Sequence, residues 1–165
     1  MAVRPVRIYP DPILKATADP IVRVDEDARQ LGRDLVDTMR AHDRCVGLAA
    51  NQIGVLRRCV VVDVTEHPRA DSCHGLIVLF DPVVQQSSGS VLAREGCLSI
   101  PELTANVRRA TEISVAGLDE SGQPRTIAAN AFEARALLHE IDHLDGILFL
   151  DRVANVETDV FRRHR

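Results

Sequence analysis

The chain has 165 residues, 45% of them hydrophobic and 27% charged, with a net charge of −4; this fits one globular domain, residues 1–165, with one sizeable core. The negative balance and the lack of a basic stripe exclude a general polyanion binder, so no sequence-specific contact with nucleic acid is expected. No stretch approaches the roughly 20 apolar residues of a membrane helix, and MAVRPVRIYPDP has no apolar run of signal-peptide length, so a cytoplasmic chain off the membrane, its four cysteines free, is expected.

Ile8 to Pro12 predicts extended chain and turn, because each proline biases its predecessor away from helix. From Asp25 to about Asp43 the pattern is helical: Asp25 can cap, and Ala28, Leu31, Leu35 and Met39 recur at spacings of three and four. Val46 to Asn51 is small and apolar and should be buried. Cys59 to Val64 is a β-branched strand, and Leu76 to Phe80 a second strand, stopped by Asp81-Pro82. Gln85 to Ser90 is a polar turn. Glu112 to Leu118 and Arg125 to Ala131 form a hairpin around Gly122. Phe132 to Leu144 lacks Gly and Pro and predicts a helix, with Gly146 at its stop. Val153 to Phe161 predicts a short closing helix, and Arg162 to Arg165 a solvated basic tail. Strands do not alternate regularly with helices, so the expected class is α+β, a mostly antiparallel sheet packed around a central helix.

That helix carries His139-Glu140-Ile141-Asp142-His143, an H-E-x-x-H pattern. Residues four apart share a helix face, so two imidazoles can bind one metal ion while the adjacent carboxylate serves as general base. A divalent cation there lowers the pKa of water toward about 7. A catalytic site takes three protein ligands and keeps one position open. Downstream, Phe149 occupies the place of a third histidine in the extended motif, and Glu157 and His164 lack a fitting context. The third ligand is therefore expected upstream, and Cys97, in Glu95-Gly96-Cys97-Leu98-Ser99, is the best candidate, although a buried packing cysteine is the commoner occurrence.

Three segments together resemble the peptide deformylase family, whose motifs are G-x-G-L-A-A-x-Q, E-G-C-L-S and H-E-x-D-H. This chain has Cys45 to Gln52 (CVGLAANQ), Glu95 to Ser99 and His139 to His143, in that order. Tyr9-Pro10-Asp11-Pro12, His143-Leu144-Asp145-Gly146 and Leu150-Asp151-Arg152 extend the resemblance across nearly the whole chain.

The resemblance implies removal of the formyl group from the N-terminal formyl-methionine of nascent proteins. Cys97, His139 and His143 would hold one divalent metal, Fe(II) by resemblance, with Zn, Ni or Co able to occupy the site. Glu140 would move the proton, and the Gln52 amide and the Leu98 N–H would stabilise the oxyanion. Val46, Gly47 and Gly96 would pair with an extended substrate through the backbone, and Val46 and Phe132 would wall the methionine pocket. Glu95 and Asp142 would support the metal ligands. Partners would be N-formylated nascent peptides and, as a candidate, the ribosome. A deformylase-like paralogue with an altered substrate, another metallohydrolase, or a non-catalytic metal-binding role are the alternatives.

Two positions depart from the family. Cys45 replaces the first motif glycine, which the local backbone can tolerate or which can narrow the mouth of the site. Leu138 stands where many members have Gln. His67, Cys73 and His74 form a second group of soft ligands, more simply a polar loop. His42 is expected at a helix end facing solvent, and Cys59 in strand packing.

Overall fold

In a computed structural model, which describes residues 2–163, the Asp25 carboxylate accepts a hydrogen bond from the Ala28 N–H at 2.8 Å and caps helix α1, Glu26–Arg40. Its buried stripe is the expected one, Ala28, Leu31, Leu35 and Met39. The strands are β1 (Gly47–Ala49), β2 (Cys59–Val62), β3 (Ile77–Ser88), β4 (Val91–Cys97), β5 (Ile100–Arg109), β6 (Glu112–Leu118), β7 (Pro124–Asn130) and β8 (Val160–Arg162). Helix α2, Ala131–Leu144, lies between β7 and β8 in sequence.

Every strand pairing is antiparallel. Five strands form one sheet in the order β1-β2-β3-β6-β7, and three form another in the order β4-β5-β8. Side chains alternate faces along a strand, and β2 uses both faces. Val60 and Val62 pack with Ala134, Leu137, Ile141 and Leu144 of α2. Cys59 and Val61 pack with Leu31, Leu35 and Met39 of α1, which accounts for the fully buried Cys59. The large sheet is thus held between the two helices. A third apolar cluster, with Leu14, Ile100, Val107 and Phe149, joins the small sheet to the rest. Leu137 is fully buried, so its truncation to Ala would cost about 2–5 kcal/mol. The α+β class, with antiparallel sheets around the H-E-x-x-H helix, is the one expected. Among the described residues no helix is long and apolar enough to cross a membrane.

Several local expectations are corrected. Asp81-Pro82 does not stop β3, and the polar stretch after it is strand to Ser88. Asp81 takes φ +49° at a break in the β3–β6 register, and its carboxylate accepts from the Ile21 and Val22 N–H groups, both at 2.7 Å. A bulge therefore absorbs the proline that would end a regular strand. Residues 91–109, for which the pattern predicts no element, form the long β4–β5 hairpin. The closing helix is absent: Asn155 caps a turn through Glu157 N–H (2.9 Å), and β8 pairs with β5. The backbone of Arg162 and Arg163 is thereby tied to the sheet, Arg163 through its N–H to the Glu102 carbonyl at 2.8 Å, so these two residues do not fray, although their side chains are exposed as expected. His164 and Arg165 lie outside the described residues.

α2 ends where expected. Gly146 has φ +72°, and a Cβ there would sit 2.7 Å from the Lys15 carbonyl carbon, so both conformation and space call for glycine.

Candidate metal centre

The centre lies where α2 passes the ends of β1 and β4. His139 and His143, one turn apart on α2, have ring centroids 5.1 Å from each other. Cys97 arrives from the other sheet, at the register break that ends β4. Its Sγ lies 3.4 Å from His143 Nε2, and one ligand atom from each of Cys97, His139 and His143 falls within 4.8 Å of the others. All three residues are buried. Among the described residues this is the one such grouping of three or more His, Cys, Asp or Glu side chains. Glu157 is exposed on the segment before β8, and His164 is not described. One sulfur and two imidazole nitrogens suit a borderline-soft divalent ion and leave room for a fourth ligand.

The imidazoles are prepared differently. Glu95 Oε1 lies 2.8 Å from His139 Nδ1, which fixes the N–H at Nδ1 and leaves Nε2 for a ligand role. Burial pulls the His139 pKa down, but hydrogen bonds to Cys97 and Glu95 and the charge of Glu140 outweigh it and hold the pKa well above the usual value. A cation at Nε2 would displace that proton. His143 is driven the other way, by burial and by the charge of His139, so it is neutral with a free lone pair. Its Nδ1 is buried without a partner.

Glu95 anchors a larger network. It accepts from Arg109 Nε and Nη2 at 2.7 and 2.9 Å and from Arg135 Nη1 at 2.6 Å. Burial would raise its carboxyl pKa, yet Arg109 and His139 hold it far below the carboxylate range. Arg109 Nη1 also donates to Asp142 at 2.6 Å, and Asp142 accepts from Arg152 at 2.5 and 2.8 Å. Three guanidiniums compensate two carboxylates beneath the ligand pair. Nothing in the sequence patterns singles out Arg109 or Arg135; Arg152 falls in the matched Leu150-Asp151-Arg152 segment.

Glu140 faces the cleft side. A Cβ at Gly47 would lie 2.7 Å from its Oε2, so Gly47 lets β1 approach the carboxylate closely. Glu140 Oε1 is buried without a partner. Burial, opposed by the charge of His139, pushes the Glu140 carboxyl up to about 7, in the range of a group that exchanges protons near neutrality. Gln52 sits in the 3-10 turn Ala50–Ile53. Its Oε1 accepts from the Ala49 N–H at 3.0 Å, so its Nε2 is turned to Cys97 Sγ (3.4 Å) and Ser99 Oγ (3.1 Å).

Val46, Gly47, Gln52, Gly96, Cys97, Leu98, Phe132, His139 and Glu140 all line this cleft, so the structure brings together the expected substrate-facing residues. Among the described residues β1 and β4 are each the outer strand of their sheet, so an edge of each sheet borders the cleft. Cys45 also lines it, its Sγ 3.2 Å from the Gly47 carbonyl and its thiol pushed up to about 12 by burial. Leu138 is half-buried against the core. His42 lies just past the end of α1, as expected, and is half-buried, with Nδ1 2.9 Å from the Thr38 carbonyl. The polar loop does not gather its soft ligands: His67 stacks on Phe132 at 3.8 Å, His74 bonds Glu133 at 2.6 Å, and Cys73 is exposed.

A helix-borne histidine pair joined by an upstream cysteine sulfur, with a carboxylate beside it, is the arrangement of a metal-dependent hydrolase. The sequence model of the family described as polypeptide deformylase matches residues 3–159. A peptide deformylase of Thermodesulfovibrio yellowstonii is 40% identical over 163 residues, 99% of this chain and 96% of that one. Another, of Syntrophobacter fumaroxidans, is 41% identical over 163 residues, 99% of this chain and 94% of its own. Among solved structures, the Ehrlichia chaffeensis peptide deformylase in complex with actinonin aligns with a TM-score of 0.88 at 34% identity, covering 95% of this chain and 92% of that one. The Thermus thermophilus enzyme aligns at 0.80 with 40% identity, covering 92% and 86%. The chain belongs to the peptide deformylase family.

Proposed function

We propose that this chain, as one catalytic domain over residues 1–165, removes the formyl group from the N-terminal formyl-methionine of nascent proteins and releases formate, with a divalent metal held by Cys97, His139 and His143. The observation that carries the reading is the convergence of these three buried side chains beside Glu140, whose Oε1 has no partner of its own.

The bound cation would supply a Lewis acid and bring water within reach of deprotonation near neutral pH. Every other task falls to the protein. Glu140 takes the proton of the water that attacks the formyl carbon. The C–N bond breaks, formate leaves, and Glu140 returns that proton to the departing amine. Gln52 Nε2, turned toward Cys97 by its bond to Ala49, and the Leu98 N–H donate to the oxyanion; each such donor is worth about 3 kcal/mol. Glu95 keeps the His139 ring in one orientation. Gly47 and Gly96 offer main-chain groups at the two strand edges to an extended peptide, a pairing that does not read side chains. Val46 and Phe132 supply apolar walls for the methionine side chain.

Fe(II) is the metal proposed with this reading, by resemblance; Zn, Ni and Co suit the same donors. The proposed setting is the cytoplasm, where chains are met as they leave the ribosome, with no sequence-specific recognition of nucleic acid. The net charge of −4 supports that last point.

The test is formate release from a formyl-Met peptide by protein purified without oxygen and loaded with Fe(II), beside Glu140→Ala. Release that vanishes in the variant is expected. A folded, metal-loaded protein that releases none would overturn the reading.

A further inference from the structure

The mouth of the cleft carries charge that the chemistry above does not use. Arg44, Arg69, Arg94 and Arg163 all line it, and all four are exposed. Of the carboxylates lining the same cleft, Asp43 alone is exposed; Glu95 and Glu140 are buried. The ion pairs found among the described residues involve none of the four arginines.

Neutral partners hold two of these side chains instead, those of Arg69 and Arg94. The Arg69 guanidinium stands 4.7 Å over the Phe132 ring and donates to the Arg94 carbonyl at 3.4 Å. Arg94 lies 3.7 Å over Phe161 of β8 and donates to Asn106 Oδ1 at 3.1 Å and Thr104 Oγ1 at 3.4 Å. Arg163 follows β8, and its guanidinium lies so close over Gly96 that a Cβ there would collide with it. Ring faces and neutral oxygens fix a guanidinium in place without cancelling its charge. A locally positive field therefore stands over the cleft of a chain whose net charge is −4.

We propose that this rim sets substrate preference: formylated chains with Asp or Glu among the residues that follow the methionine are favoured over chains with Lys or Arg there. The inference rests on the deformylase reading. A peptide seated between the β1 and β4 edges leaves the cleft through this mouth, past Arg69, Arg94 and Arg163. The preferred partner is thus an acidic peptide segment, with the rim contributing attraction on approach and ion pairs once bound.

The experiment compares kcat/KM for formyl-Met-Ala-Glu-Glu, formyl-Met-Ala-Ser-Ser and formyl-Met-Ala-Lys-Lys, all as C-terminal amides. Binding of the unformylated Glu and Lys peptides is measured alongside. The Glu peptide is expected to exceed the Lys peptide by about tenfold at low salt, the product of several partly exposed pairs each worth roughly two- to fivefold. The ratio should shrink at about 0.5 M salt, where such charges are screened. Arg69→Gln, Arg94→Gln and Arg163→Gln should each lower the Glu-to-Lys ratio, and the triple variant should bring it near one. If the triple variant does not fold, the single variants carry the same readout. Equal rates on the Glu and Lys peptides, or a ratio that the variants leave unchanged, would overturn the inference. So would an unchanged ratio with weakened binding to ribosomes, which would assign the rim to nucleic-acid phosphates. Loss of turnover on every formylated peptide, with the Glu peptide still bound better than the Lys peptide, would defeat the deformylase reading and leave the acidic preference standing.

Discussion

Glu95 and His139 sit in different structural units, one on an outer strand and the other on the buried helix, yet Oε1 and Nδ1 meet at 2.8 Å. The contact joins the small sheet to α2 through an imidazole of the candidate metal centre. Replacing Glu95 by Gln removes the charge that holds the Nδ1 proton and leaves Arg109 and Arg135 undercompensated in a buried place. Metal affinity should fall 10–100-fold, with about 3 kcal/mol lost in stability. Competition against a chromophoric chelator measures the first, and denaturant unfolding the second. Unchanged affinity would mean that the contact does not orient the ligand.

Gly47 is the place where β1 touches Glu140, the proposed general base. A Cβ there would lie 2.7 Å from Glu140 Oε2 and 2.9 Å from Cγ, so Gly47→Ala must displace the carboxylate. The expected result is a loss of about 10²-fold in kcat from misplacement of one catalytic group, with metal content unchanged. Steady-state kinetics beside metal analysis checks it; wild-type kcat would show that Glu140 needs no such exact placement.

Gln52 has its two amide ends assigned to different tasks, Oε1 to the Ala49 N–H and Nε2 to the site. Gln52→Ala should lower kcat about 10²–10³-fold with little change in KM, as expected of a donor that acts on the transition state. Stability should drop by about 1–3 kcal/mol as well, because the buried Ala49 N–H loses its acceptor. A change confined to KM would move Gln52 from catalysis to ground-state binding.

Cys45 departs from the family, but its thiol is turned back to the Gly47 carbonyl and its pKa is pushed up to about 12 by burial. A thiol that stays protonated at neutral pH is a poor nucleophile. Alkylation at pH 7 should therefore label the exposed Cys73 and spare Cys45, as peptide mass mapping would reveal. Cys45→Gly should leave kcat/KM unchanged; a clear change for substrate or for hydroxamate inhibitors would instead favour a thiol that narrows the mouth.

Both long helices were legible, α1 because its buried residues follow one stripe behind the Asp25 cap, and α2, which is buried nearly all round, because its run lacks Gly and Pro until Gly146 stops it. The β4–β5 hairpin was not, and Glu95 and Arg109 explain why. Both face inward and are buried, so apolar-polar alternation does not report which face is inside. They are tolerated there because they neutralise each other across the hairpin, 14 residues apart. Arg135 pairs with Glu95 across 40 residues, a separation at which no local pattern announces a partner. The H-E-x-x-H pair is local and was visible at once, whereas Cys97 needed the resemblance to stand out from a packing cysteine. Asp81-Pro82 misled because a bulge lets a strand pass a proline that regular pairing would refuse.

The open edges of β1 and β4 have a consequence for the protein when no peptide is present. Unpaired edges that can accept a substrate strand can also accept the edge of a second molecule, the first step toward aggregation. β1 is only three residues long and β4 seven, so neither offers a long template. Two molecules meeting mouth to mouth would also oppose Arg44, Arg69, Arg94 and Arg163 with their own copies. The rim thus doubles as a guard on solubility, repelling like molecules from a groove that has to stay open to others.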